Sequence, residues 1–295
     1  MYKTSETVTT QNFESKFIGL LALVVGGLLF ILSTFGPLGL NIIKYKTSES
    51  AIYQIQGQDL VNLVILVPIC IVGGFFQLIN KKEAKFFLIF IPIYTSFYTG
   101  LAYGVGAEWS HPNYIGSYNS NQYFWLFIIL IFGGLFLAFY AYSQFSEEDA
   151  PDFSKRNIRI FTIIFSVFIL IFVFLWLSEI NMVNTTGDTA SGSYSEAPTT
   201  FWIVKYLDLG LTLPLGLLSL YLFNTRPKKA YPVLLLFFGF FVILTLAVNA
   251  MMIMMVLNND PTVQPEGIII FPSLLILSLT GYLYLIKDKL YKKKH

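Results

Sequence analysis

The residues with the clearest capacity for chemistry are Lys205 and Asp208, two opposite charges inside a long apolar run. Their i,i+3 spacing places them on one face of a helix, where an ion pair can form. An ionisable side chain in hydrocarbon is costly unless it pairs or faces water, so each is a candidate functional residue. We therefore predict a Lys205–Asp208 ion pair. The alternative is that Lys205 extends toward the surface and Asp208 only neutralises it.

Further polar residues are expected at the same depth, toward the outer ends of other apolar runs. The inner halves of the runs carry almost no ionisable residues, which favours a site that opens outward over a charged path across the membrane. We predict one outward-facing polar pocket for a small ligand or ion. Its candidate residues are Asp59, Tyr98, Tyr103, Lys205, Asp208 and Asn249, with Glu179 nearby.

Three functions are compatible with such a pocket. The leading hypothesis is a transporter or sensor that binds a small ligand or ion. The second is a membrane-embedded enzyme that uses Asp59 and Asp208 for acid–base chemistry on a lipid or amphiphile. The third is a structural or accessory subunit without a ligand. No catalytic residue is assigned, and the enzymatic reading stays open.

No metal site and no cofactor are predicted. Glu108 and His111 provide too few ligands for a metal. Neighbouring methionines between 251 and 255 point to different faces of a helix, which favours packing over copper binding. Cys70 is the only cysteine, and no phosphate-binding loop, zinc-protease helix or serine-hydrolase elbow occurs in the sequence.

The elements that must position these residues are membrane helices. The 295 residues are 55% hydrophobic and only 12% charged, whereas a soluble domain has about 25% charged residues. The net charge of +2 indicates no nucleic-acid partner, so the predicted partner is the lipid bilayer. About 20 apolar residues are needed for one crossing. Eight predicted spans lie near 17–38, 60–79, 86–105, 123–144, 160–180, 201–223, 231–256 and 267–286.

Basic residues predict the orientation of these spans, because Lys and Arg are retained near the cytoplasmic ends. They cluster after the second, fourth, sixth and eighth spans, whereas the loops at 106–122, 182–200 and 257–266 have none. Only Lys44 and Lys46 break the pattern. We predict a multi-pass plasma-membrane protein that forms a single transmembrane domain, with both termini in the cytoplasm. The sequence does not indicate an oligomeric state.

A similar pattern occurs in both halves of the chain. Asp59 is followed by Pro68 in the second predicted span, and Asp208 is followed by Pro214 in the sixth. A duplication of four spans would place these helices in equivalent positions with the same direction. Since the Asp-to-Pro spacing differs, chance recurrence is the alternative.

These motifs carry a family resemblance. The segments are GQDLV (57–61) leading to Pro68, the tyrosine-rich third span, and KYLDLG (205–210) leading to Pro214. From the second through the seventh span, the chain resembles a family of uncharacterised prokaryotic polytopic membrane proteins. The resemblance implies the multi-span architecture and draws attention to Asp59 and Asp208, but it implies no activity.

Overall fold

A computed structural model of the chain describes residues 5–106, 114, 116–186, 194–195 and 197–291. Helices and connecting turns make up these residues, and no β-strand occurs among them, which confirms the predicted all-α class. The helices are α1 Ser5–Phe35, α2 Glu49–Leu78, α3 Ala84–Leu88, α4 (a π-helical part Tyr94–Ala102 and a turn Tyr103–Gly106), α5 Phe124–Ser143, α6 Lys155–Thr186, α7 Pro198–Thr225, α8 Pro227–Leu257 and α9 Gly267–Tyr291.

Seven helices in the described part of the chain are long and apolar enough to cross a membrane: α1, α2, α5, α6, α7, α8 and α9. The predicted span 86–105 is not a continuous helix, because α3 ends at Leu88 and a turn at 89–91 separates it from α4. Pro92 accounts for the break, since proline lacks an N–H and disfavours a helical conformation in the preceding residue. The predicted count of eight helices is therefore not confirmed.

Three segments of the described chain adopt the wider π-helical pattern. They are Asn62–Leu66 in α2, Tyr94–Ala102 in α4 and Asp208–Thr212 in α7. Each is close to a proline: Pro68, Pro92 and Pro214. Proline cannot donate a backbone hydrogen bond and its ring crowds the preceding turn, so local widening of the helix accommodates it. Because π-helical segments occur frequently at functional sites, these three positions direct attention to the predicted site residues.

Helix α8 is the centre of the bundle. In α8, 67% of the apolar stretch is buried. In α6 and α9, which lie at the periphery, the buried share is 17%. It packs against α2, α7 and α9. Helix α2 approaches it most closely at Gly57, where a Cβ atom would lie 2.3 Å from the backbone nitrogen of Met251. Glycine at this position therefore allows the two helix backbones to touch.

The loop between α5 and α6 is tied to the start of α3 by an ion pair. Lys85 Nζ lies 2.5 Å from Asp149 Oδ2 and also donates to the Gln144 carbonyl at 3.2 Å. Partial burial tends to raise the pKa of Asp149, but the Lys85 ammonium and the Ser146 N–H outweigh it and hold this pKa below its usual range. The contact fixes the end of the bundle opposite to the predicted site.

Candidate functional site

Two buried aspartates dominate the half of the bundle that the charge pattern predicts to face outward. Asp59 is 1% exposed and Asp208 is 7% exposed. Each lies ten residues after the first residue of its helix, Glu49 or Pro198. At 1.5 Å per residue, both are about 15 Å along the helix axis from its start. The two side chains therefore lie at the same distance from the starts of α2 and α7.

The Asp208 carboxylate is fully engaged by neighbouring side chains. Trp176 Nε1 of α6 donates to Oδ2 at 2.8 Å, and the Tyr98 hydroxyl of α4 donates to Oδ1 in a short hydrogen bond. The Thr212 hydroxyl lies 2.9 Å from the Tyr98 hydroxyl and donates to the Leu207 carbonyl at 2.8 Å. We call Asp208, Tyr98, Trp176 and Thr212 the Asp208 network. It joins α4, α6 and α7.

Lys205 does not form the predicted ion pair with Asp208. Its ammonium instead lies 2.6 Å from Glu179 Oε2 and 3.2 Å from the centre of the Trp176 ring. Helical side chains lean toward the helix N-terminus, so a long lysine extends away from Asp208 and toward Glu179 near the end of α6. Trp176 contacts both charges, with its ring face on Lys205 and its N–H on Asp208.

The Asp59 carboxylate has a different environment. Neither oxygen makes a hydrogen bond of normal geometry with any residue that the structure describes, although the backbone N–H of Leu38 faces it. Gly36 packs directly against the carboxylate, since a Cβ atom there would lie 2.7 Å from Oδ2. A buried carboxylate without a partner carries a large desolvation cost.

Three buried tyrosines are within electrostatic range of this carboxylate: Tyr45 of the loop after α1, and Tyr94 and Tyr103 of α4. The Tyr45 and Tyr94 hydroxyls are buried and have no hydrogen-bond partner among the described residues, whereas the Tyr103 hydroxyl donates weakly to the Ile55 carbonyl at 3.4 Å. We call Asp59, Tyr45, Tyr94 and Tyr103 the Asp59 cage.

Asn62 adds a further unpartnered polar atom on the same helix as Asp59. Asn62 lies one turn after Asp59, its Nδ2 atom has no hydrogen bond to a described residue, and its Oδ1 atom receives only a long bond of 3.5 Å from Thr99. Buried side-chain amides are normally hydrogen-bonded. The unpartnered polar atoms at Asp59, Asn62, Tyr45 and Tyr94 are therefore concentrated where α2, α4 and the loop after α1 meet.

Helix α4 connects the two groups. The Tyr94 and Tyr98 rings stack with centres 5.8 Å apart and planes 9° apart. Tyr94 belongs to the Asp59 cage and Tyr98 to the Asp208 network. Of the predicted pocket residues, the structure thus places Tyr103 with Asp59, and Tyr98 with Asp208, in two adjacent groups. The single shared pocket stays a prediction.

Asn249 makes its hydrogen bonds outside both groups. Its Nδ2 donates to the Thr245 carbonyl at 2.8 Å and to the Phe271 carbonyl at 2.9 Å. These bonds connect α8 with α9, so the side chain serves helix packing.

A narrow pocket lies beside Asp208, between α6, α7 and α8. Its cavity volume of about 20 Å³ has room for about one water molecule. Asp208 and Thr212 form its polar wall, and their oxygens are already hydrogen-bonded. The remaining lining residues are apolar: Phe168, Ile169, Phe172, Leu213, Phe237, Phe240, Phe241 and Leu244. The Asp59 side chain does not line this pocket.

The sequence analysis missed several members of these groups. Thr212 lies one turn after Asp208, and Tyr94 lies one turn before Tyr98, so helical spacing could have identified both. Trp176 lies near the end of an apolar run, where the sequence alone indicates only a tryptophan at the membrane interface. Tyr45 lies in a loop, where no periodic pattern indicates its direction.

Metal binding through carboxylates, histidine and cysteine has no basis in the described residues, which contain no cluster of three such ligands. The segment Glu108–His111 lies outside the described residues. No protein-family model, curated protein or solved structure matches the chain. The family resemblance described above stays a prediction.

Proposed function

We propose that the chain is a multi-pass plasma-membrane protein that crosses the bilayer eight times, with both termini in the cytoplasm. Seven long apolar helices support this topology, and the broken α3–α4 segment supplies the eighth crossing. Irregular backbone is tolerated at membrane depth where protein surrounds it, and the Tyr94–Ala102 segment is mostly buried. The outer face of α6 is apolar along its length, as lipid contact requires.

The topology is tested with a reporter that is active only in the cytoplasm. Fusions after Lys82, Arg156, Lys229 and His295 should all be active, and a fusion within 182–200 should be inactive. Silence at two or more of the first four, with activity in the loop, would show that the crossings are miscounted or inverted.

A duplication of four crossings is the second part of the proposal. When the chain is aligned on Pro68 and Pro214, the two π-helical segments coincide, and Asn62 then corresponds to Asp208. The packing agrees with this relation, because α2 packs against α8 and the α4 segment packs against α7. If two repeats of four crossings are related by a pseudo-twofold axis, that axis exchanges the α2–α8 contact with the α4–α7 contact.

The functional proposal is that the Asp59 cage binds a small ligand or ion, as part of a transporter or a sensor. The observation that carries it is the Asp59 carboxylate, which is 1% exposed and accepts no side-chain hydrogen bond from the described residues. Ionisable residues inside membranes mark ligand and ion pathways, and interrupted helices often form such sites. The neighbouring π-helical segment and the tyrosine hydroxyls fit this role.

Ligand binding is tested by thermal unfolding of the purified protein against a panel of inorganic cations, amines and neutral solutes at constant ionic strength. A ligand should raise the unfolding midpoint of the wild type but not of Asp59→Asn. Asp260→Asn is the matched control, since Asp260 is also buried but lies in the loop after α8. Flux into liposomes then separates transporter from sensor. If no solute gives an Asp59-dependent response, the accessory-subunit hypothesis is favoured.

A further inference from the structure

We infer that the cytoplasmic ends of α6 and α7 form a binding site for one anionic phospholipid, whose phosphate is held by Arg159 and Arg226. The site is separate from the Asp59 cage and depends only on the proposed membrane topology. Three features support it: the position of the arginines, the packing of α6 against α7, and the exposed apolar side chains beside them.

The arginines of the chain are confined to one place. There are three, Arg156, Arg159 and Arg226, and all other basic residues apart from the two histidines are lysines. Arg156 and Arg159 lie in the first two turns of α6, and Arg226 directly follows α7. Lysine alone suffices to retain a loop in the cytoplasm, whereas the planar guanidinium group matches a phosphate with two parallel hydrogen bonds. The position of the arginines therefore indicates phosphate recognition.

The packing of α6 against α7 sets the register of the two helices. They are antiparallel, because Trp176 Nε1 lies 2.8 Å from Asp208 Oδ2 and Thr162 Oγ1 lies 2.6 Å from Asn224 Nδ2. Sixteen residues of α7, from 208 to 224, thus pass fourteen residues of α6, from 176 to 162. The contact between Thr162 and Asn224 fixes this register near the cytoplasmic ends.

The same register brings the arginines together. Arg159 precedes Thr162 by three residues, which places it about 4.5 Å beyond the contact along α6. Arg226 follows Asn224 by two residues and lies beyond the contact in the same direction. Arg156 is one turn further, on the same face of α6 as Arg159. Positive charges gathered in this way repel one another unless an anion lies between them.

Nearby carboxylates do not neutralise the arginines. Among the residues that the structure describes, Asp152 pairs with Lys228 at 3.4 Å and Glu147 pairs with Lys229 at 3.8 Å, whereas no arginine forms an ion pair. All three arginines are exposed. Their guanidinium groups are therefore open to an anion from outside the chain.

Exposed apolar side chains beside the arginines favour a lipid over a soluble anion. Toward the middle of the bundle, α6 exposes Ile164 and Val167, and α7 exposes Leu218 and Tyr221. In the antiparallel register Ile164 is level with Tyr221, and Val167 is level with Leu218. A phospholipid can cover these side chains with its acyl chains while its phosphate contacts the arginines. The cytoplasmic leaflet is also the one in which anionic lipids are concentrated.

The site is tested by native mass spectrometry of the purified full-length protein, titrated with phosphatidylglycerol or with zwitterionic phosphatidylcholine. The wild type should bind one phosphatidylglycerol at least about tenfold more tightly than phosphatidylcholine. The double variant Arg159→Gln/Arg226→Gln should lose about that factor, since it removes the charged hydrogen bonds to the phosphate. Arg159→Lys/Arg226→Lys keeps both charges but not the paired hydrogen bonds, so its affinity should be intermediate.

The matched control is Lys81→Gln/Lys82→Gln, which removes two exposed charges at the cytoplasmic end of α2. This variant should bind phosphatidylglycerol like the wild type. Equal losses in the control and in the double glutamine variant would overturn the inference, because overall charge alone would then attract the lipid. Equal wild-type affinity for the two lipids would also overturn it. Displacement of the lipid by an equal concentration of glycerol 3-phosphate would show that the ligand is a soluble anion.

Size-exclusion chromatography establishes that each variant is folded. Should the double glutamine variant fail to fold, wild-type affinity in the double lysine variant would contradict the assignment to arginine. The reporter fusions test the topology separately. Arginine-dependent lipid binding in a chain with inverted topology would support the site and refute only its placement in the cytoplasmic leaflet.

Discussion

Asp59 and Asp208 lie equally far from the starts of their helices, yet their surroundings differ. Both are buried and both lie ten residues into their helix. Asp208 is the first residue of a π-helical segment, and Asp59 lies three residues before one. Asp208 accepts hydrogen bonds from Trp176 and Tyr98. Asp59 has no comparable side-chain donor among the described residues.

The comparison shows that helix geometry sets the depth of a charged residue and that the surrounding elements decide its role. A carboxylate that accepts hydrogen bonds from protein donors stabilises the structure, and a ligand can bind it only by displacing those donors. A buried carboxylate without side-chain donors destabilises the fold until a ligand binds it. The two aspartates should therefore respond to substitution in opposite ways.

The largest effect is expected for Asp208→Ala. This change removes the acceptor from the Trp176 N–H and the Tyr98 hydroxyl, which are then buried without a partner. Breaking such a buried charged network typically costs about 3–5 kcal/mol. The variant should give little folded protein, measured as the monodisperse fraction after size-exclusion chromatography and as the thermal unfolding midpoint.

Its control is Thr245→Val, which removes a buried hydroxyl bonded to Ser278 between α8 and α9. That variant should lose only about 1 kcal/mol. Equal losses in the two variants would show that the Asp208 network carries no special weight in the fold.

A smaller effect is expected for Gly36→Ala. The added methyl group would lie 2.7 Å from Asp59 Oδ2 and 2.7 Å from the Leu32 carbonyl oxygen. Overpacking of this kind typically costs about 1–3 kcal/mol. Thermal unfolding measures the loss, and Gly27→Ala is the control because a Cβ atom there meets nothing within 4 Å. A midpoint equal to that of Gly27→Ala would show that the contact between Gly36 and Asp59 is loose.

The sequence predicts the helical architecture well, because apolar runs of membrane length leave no other regular structure available. The exception is the third run. Its interruption follows from Pro92, a residue visible in the sequence, but whether a proline kinks or breaks a helix depends on what surrounds it. Buried packing around α4 supports the broken form.

The site was harder to predict than the helices. Periodicity placed Lys205 and Asp208 on one face of a helix. It could not show that Lys205 would instead form an ion pair with Glu179 and contact the Trp176 ring, both on another helix. The tyrosines near Asp59 come from α4 and from the loop after α1. One sequence does not indicate which helix faces meet. Depth in the membrane was therefore predictable, and lateral neighbours were not.

Lys205 and Glu179 should show a modest coupling in a double-mutant cycle. Lys205 is 5% exposed, but Glu179 is 37% exposed, so solvent weakens the pair. We expect a coupling of about 1 kcal/mol between Lys205→Met and Glu179→Gln, measured by thermal unfolding of the two single variants and the double variant. The parallel cycle with Asp208→Asn should give a smaller value. A larger coupling to Asp208 would restore the ion pair expected from helical spacing.

The smallest effect, and the one of opposite sign, is expected for Asp59→Asn without added ligand. The substitution keeps the shape of the side chain and removes a buried charge that has no side-chain partner among the described residues, so the desolvation cost falls. We expect an unfolding midpoint equal to or above that of the wild type, with a gain of up to about 1 kcal/mol. Asp208→Asn makes the same chemical change, but it turns an NH₂ group toward the Trp176 N–H or the Tyr98 hydroxyl and should lower the midpoint. Intrinsic fluorescence during heating compares the two variants in one buffer. A loss in Asp59→Asn as large as that in Asp208→Asn would mean that the protein itself supplies partners for Asp59, and the contrast between the two aspartates would disappear.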